Sequence, residues 1–174
     1  MGAQSPTHCD KRDGTTDTRR NNGIILWRKI MKIRLGFVSN SSSSSFVIIG
    51  DSGIRDTYDQ INVVDNILLI GETGETEFGW GPEVITDISA RVNLAAILAA
   101  HDTTQMDSFI ATMKKVNPDI EKVSFHASEG GWNTCYVDHQ SFDSMAASVY
   151  EDKDSLDRFI FDQNSEIHLD NDNY

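Results

Sequence analysis

Among the 27 Asp+Glu and five His of this chain, six are candidates to ligate a hard cation or move a proton: Glu75, Glu77, Asp138, His139, Asp170 and Asp172. Glu75 and Glu77 lie with Glu72 in the glycine-rich stretch GETGETEFGWGPE, where a short flexible backbone lets carboxylates approach a common point. Oxygen donors of this kind suit Mg²⁺ or Ca²⁺, although the spacing matches no calcium loop and no cofactor is otherwise implied. The same stretch reads equally as a solvated acidic hairpin, with Trp80 as a core or recognition residue. In YVDHQS, Asp138 and His139 are adjacent, so on an extended chain they face opposite sides and do not pair with each other. Asp170 and Asp172, two apart in HLDNDNY, would face one way on an extended tail and complete an oxygen-ligand site with Glu75 or Asp138. Otherwise they form a solvated acidic terminus.

No catalytic nucleophile stands out. Cys135 sits in an apolar, strand-like run without an activating histidine. Cys9 and Cys135 fit no metal or redox spacing, which suits a reducing cytoplasm. Residues 1–30 hold six Lys+Arg against three Asp+Glu, so the −12 total leaves −15 on the remainder. A body this acidic repels a nucleic-acid backbone and favours a basic protein partner. The longest apolar stretches, NILLI and LAAILAA, are too short to cross a bilayer, and the first residues have no apolar signal region.

The elements that must position these residues follow from hydrophobic period. MKIRLGFVS alternates like a half-buried strand; SFVIIG and NILLIG read as buried strands. Gly81-Pro82 opens a long helical pattern through Ala99 whose apolar residues spread round the helix, implying packing on more than one side. Thr104 with Asp107 resembles a capping box, and Met106, Phe109, Ile110 and Met113 give the next helix one apolar face. IEKVSFHA and WNTCYVD flank SEGG as a hairpin. DKDSLDRFIF is a helix presenting Leu156, Phe159 and Ile160, and SEIHL a last strand. The resulting expectation is an α+β fold: a mostly antiparallel sheet with about three helices packed on one face, in a single domain over 31–174.

Residues 1–30 are expected to be a basic leader without structure. WRKIM can be encoded TGG-AGG-AAA-ATH-ATG, placing a purine-rich ribosome-binding sequence before Met31, so translation is expected to start there. Codons other than TGG-AGG at Trp27 and Arg28 would remove this inference.

Between two strand-like runs stands NSSSSS. Its hydroxyls suit a built turn, or an anion-binding nest of backbone N–H groups, better than a linker. Asn40, Ser41 and Ser43, with Trp80, are therefore candidate recognition residues. The segment MKIRLGFVSNSSSSSF resembles the opening of uncharacterised tailed-phage and bacterial proteins that begin with a GFV(S/T)NSSSSSF element. The body resembles hypothetical proteins of large tailed phages through GETEFGWGPE, YVDHQS and NSEIHLDNDN. The resemblance implies a phage or prophage gene acting in the cytoplasm of an infected host, with virion association left open, and carries no activity. Two functions compete: a non-enzymatic accessory protein binding a host or phage protein through its acidic surface, which the composition favours, or a small divalent-metal-dependent hydrolase of phosphoesterase type built on Glu75, Glu77, Asp138, His139 and Asp170.

Overall fold

A computed structural model describes residues 45–59, 61–79, 81–126 and 135–170. Among them the order is β1 (Phe46–Ile48), β2 (Val63–Val64), β3 (Ile67–Ile70), β4 (Glu77–Phe78), β5 (Glu83–Ile85), α1 (Ile88–Ala99), α2 (Thr103–Met113), β6 (Lys122–Phe125), β7 (Tyr136–Val137), α3 (His139–Val149), α4 (Lys153–Phe161) and β8 (Glu166–Leu169).

The centre of the molecule is α1, not a sheet. Every residue from Ala90 to Ala99 is buried, including Arg91 and Asn93. A helix apolar all round must be covered on all sides, and α1 packs against α2, α3, α4, β3 and β7. That demand breaks the strands into three small groups around it: β1-β8-β5, β2-β3-β6 and β4-β7. The expectation of a mostly antiparallel sheet with three helices on one face is thus overturned. There are four helices among the described residues, they hold more residues than the strands, and two of the pairings, β3 with β6 and β4 with β7, are parallel.

Local chemistry explains the boundaries. Asp87, Asp102 and Asp152 each precede a helix and accept a backbone N–H of its first turn, from Ala90, from Thr104 and Gln105, and from Ser155. A carboxylate there satisfies an orphan donor and meets the positive end of the helix dipole. Asp102, not Thr104, is therefore the cap of α2. Pro82 does not open α1: Val84 and Ile85, both β-branched, belong to β5, and the helix starts after Asp87. Between β2 and β3, Asp65 and Asn66 have φ of 52° and 64°. Positive φ at both central residues matches a two-residue hairpin turn to the strand twist.

Strands β6 and β7 do not pair as a hairpin; β6 joins β3 and β7 joins β4. The residues from 139 onward, to which hydrophobic period assigned no element, form α3, whose Met145, Ala146 and Val149 are buried. The hydroxyl of Tyr150, just past α3, donates to the Ala95 carbonyl at 2.7 Å, and burial pushes its pKa far above the ordinary tyrosine value. Among the described residues, no helix is long and apolar enough to cross a membrane.

Candidate functional site

The glycine-rich acidic stretch is held rigidly. Its anchor is Asn93, from the middle of α1 and 2% exposed. Its Oδ1 accepts the Gly71 N–H at 3.2 Å, and its Nδ2 donates to the carbonyls of Thr73 and Glu75 at 2.7 and 2.9 Å. One buried amide thus ties three backbone groups of the loop to the core helix. Gly74 makes the close fit achievable: it has φ of 75°, and a Cβ there would lie 2.8 Å from the Ala90 nitrogen. Glu75 turns its carboxylate back on the chain, with Oε1 accepting the N–H groups of Thr76 and Glu77, both at 2.8 Å. Asn93→Ala is expected to cost about 1–3 kcal/mol, since it strands buried polar groups. Amide exchange should accelerate over residues 71–77 ahead of the rest, and uniform acceleration would refute the clamp.

Past Glu75 the loop enters β4, where Glu77 stands opposite Tyr136 and Phe78 opposite Val137. The Asp138 N–H donates to the Phe78 carbonyl at 2.7 Å. Gly79 lies against this corner, and a Cβ on it would sit 2.8 Å from the Asp138 Cβ.

Asp138 and His139 do meet. His139 Nδ1 is 3.4 Å from Asp138 Oδ1, with the imidazole 84% exposed and the carboxylate 14% exposed. Alternation on an extended strand forbade this contact, but Asp138 is the residue before α3 and His139 its first, so the chain bends between them. Ser141 Oγ lies 3.4 Å from the other oxygen, Asp138 Oδ2. The carboxylate thus stands between the hydroxyl and the imidazole, an order that orients both groups. A histidine activating a serine would need the imidazole in the middle.

The parallel pairing therefore gathers the Glu77 strand, Asp138 and His139 into one corner, with Glu75 on the clamped loop beside it. Asp170 belongs elsewhere: it follows β8, and its N–H donates to Ser45 Oγ at 3.1 Å. That serine, the last of the run, is 5% exposed. Asp172, Trp80, Asn40, Ser41 and Ser43 lie outside the described residues. Among the described residues, no group of three or more His, Cys, Asp or Glu is placed to hold a metal ion.

No family model, curated protein or solved structure matches the chain.

Sequence reasoning passed over a second cluster, centred on Asp162 at the end of α4. This carboxylate, in a residue 4% exposed, accepts from Ser52 N, Ser52 Oγ, Gly53 N and Asn164 N at 2.8–3.1 Å. Burial pushes the carboxyl up, but these hydrogen bonds outweigh it and hold it below the usual carboxylate range. Segment 50–56 is thereby wound round the C-terminus of α4, with Asp56 N–H bonded to the Phe161 carbonyl and Gln163 N–H to the Ile54 carbonyl. The signal was present in DSG at 51–53, a turn-forming triplet, but its partner lies more than a hundred residues away.

Proposed function

We propose that the protein is a non-enzymatic binding protein whose acidic surface engages a basic protein partner, as a phage-type accessory factor in the host cytoplasm. One observation supports this reading above the others. From Asp56 to Met113 the sole Lys or Arg is Arg91, which is 0% exposed. Over the same stretch Asp59, Asp65, Glu72, Glu75, Glu77 and Glu83 are all exposed. This third of the chain therefore presents carboxylates to solvent with no exposed Lys or Arg among them. A field of one sign speeds encounter with an oppositely charged surface and rejects like-charged ones.

The Asn93 clamp adds preorganisation, since a loop already fixed loses less entropy on binding. The test is affinity capture from infected cells with the intact chain and with a variant carrying E72Q, E75Q, E77Q and E83Q. Glutamine keeps the acceptor oxygen that Glu75 needs for its turn. A reproducible basic partner should be captured by the native chain, lost by the variant, and released near 1 M salt, where the Debye length is about 3 Å. Equal capture by the variant would defeat the proposal.

A further inference from the structure

Among the described residues positive charge is scarce and segregated. Apart from the buried Arg91 and from Lys122 on β6, every Lys and Arg of the described residues belongs to segment 51–56, the C-terminal end of α2, or α4. The α2 and α4 helices pack together. Between segment 51–55 and α4 lies an open cleft of about 250 Å³, lined among others by Asp51, Arg55, Asp157, Arg158 and Phe161.

The pairing inside this cleft is uneven. Asp157 is served twice, by Arg55 Nη1 at 2.5 Å and by Lys115 Nζ at 2.7 Å. Burial pushes its carboxyl up, but the two cations outweigh that and hold it below the usual range. Arg158 has a looser ionic match: its Nε donates to the Asp154 carbonyl at 3.3 Å, while its Nη1 stands 3.5 Å from Asp51 Oδ1, longer than an ordinary N–H···O bond, and both side chains are about one-third exposed. The Arg55 guanidinium also lies over the Phe161 ring, 4.6 Å from its centroid.

We propose that this cleft binds the phosphate group of a small phosphorylated molecule, held between Arg55 and Arg158, with its organic part toward Phe161. The exchange leaves no carboxylate stranded. When Arg55 turns to the ligand, Lys115 still neutralises Asp157, and Asp51, about one-third exposed, keeps its contact with water. Asp162, also in the lining, is already satisfied by donors of segment 52–53 and Asn164. The planar fork of arginine matches phosphate oxygens in pairs, and a phosphate monoester carries up to two charges where Asp51 or Asp157 offers one. Carboxylates elsewhere on the surface are screened beyond about 8 Å at physiological salt. The volume lies below the roughly 300–1,000 Å³ of drug-sized pockets, which suits a phosphate with a small organic group.

The probe is phenyl phosphate, titrated into the full chain by calorimetry. Saturable binding is expected, weakened at least about tenfold by Arg55→Gln and by Arg158→Gln through loss of charge-assisted hydrogen bonds. Lys122→Gln removes the same charge from β6 and should leave affinity unchanged. Should Arg55→Gln fail to fold, Arg158→Gln decides the matter, because its partner Asp51 is exposed. No saturable binding by the native chain at about 10 mM ligand, ten times a millimolar Kd, would overturn the proposal. So would equal affinity in Arg158→Gln and Lys122→Gln.

Discussion

Arg91→Ala is expected to lower the stability of the protein by about 3–5 kcal/mol, the range for leaving a buried ion pair broken and a large buried side chain missing. Arg91 lies wholly inside, on the central helix. Its Nη2 pairs with Asp56, and its Nη1 donates to the carbonyls of Phe159 and Asp162. Those carbonyls belong to the last turn of α4, where a helix lacks internal donors and its dipole is negative. One guanidinium therefore closes the end of α4 and, through Asp56, secures segment 50–56. Its Nε is buried without a hydrogen-bond partner, a cost that the other contacts offset.

Arg91→Met preserves volume and removes the charge, so it should recover part of the loss. Asp56 is 36% exposed at its side chain and stays hydrated without a partner. Asp56→Asn should prove costly, because it leaves a buried cation without a counterion. Urea midpoints of the three variants test this order. If Arg91→Ala shifted the midpoint no more than an exposed substitution such as Lys114→Ala, the assigned role would fail.

The second large effect concerns Asp162. Asp162→Asn turns an amide NH₂ toward N–H and O–H donors that now point at a carboxylate, at a cost of about 2–4 kcal/mol. Gly50→Ala attacks the same hub by sterics: a Cβ there would lie 2.2 Å from Asp162 Oδ1 and 2.9 Å from the Asn164 carbonyl carbon. Neither neighbour is free to move. The carboxylate is fixed by its donors, so overpacking should cost about 1–3 kcal/mol or more.

The lowered pKa adds a pH signature. An unfolded aspartate titrates near 3.9, about as in a model peptide. The folded Asp162 stays ionised below that. In acid the unfolded chain then binds more protons than the folded one, and stability rises with pH. The contribution is complete above the unfolded value and disappears as pH falls through the folded one. Asp157 behaves in the same direction. Thermal melts at pH 7 and in the acid range should show a smaller loss for Asp162→Asn than for the native chain. Parallel losses would remove Asp162 from this account.

What the sequence revealed was the type of many elements, and what it concealed was their partners. SFVIIG and NILLIG announced β1 and β3 as short apolar runs, SEIHL read as the last strand, β8, and Leu156, Phe159 and Ile160 announced α4 by helical spacing. Apolar period fixes which face is buried but says nothing of which strand lies beside it. The parallel pairs therefore escaped, since each joins segments separated by helices. The stripe of Phe142, Met145, Ala146 and Val149 could have shown α3, had Asp138 been taken as a helix start. That one boundary also decided the site, because the bend after Asp138 is what lets it touch His139. Asn93 and Arg91 were invisible for another reason: polar residues within an apolar helix reveal their role only once their distant carbonyl partners are in place.

The position of β8 between β1 and β5 bears on how the chain is made. Phe46 and Val84 both take His168 as their register partner. Neither flanking strand has its neighbour until residues near 168 leave the ribosome. At about 5–20 residues per second, β1 waits roughly 6–25 s. During that interval two apolar strand edges stand open in the nascent protein, a window in which a chaperone has something to hold.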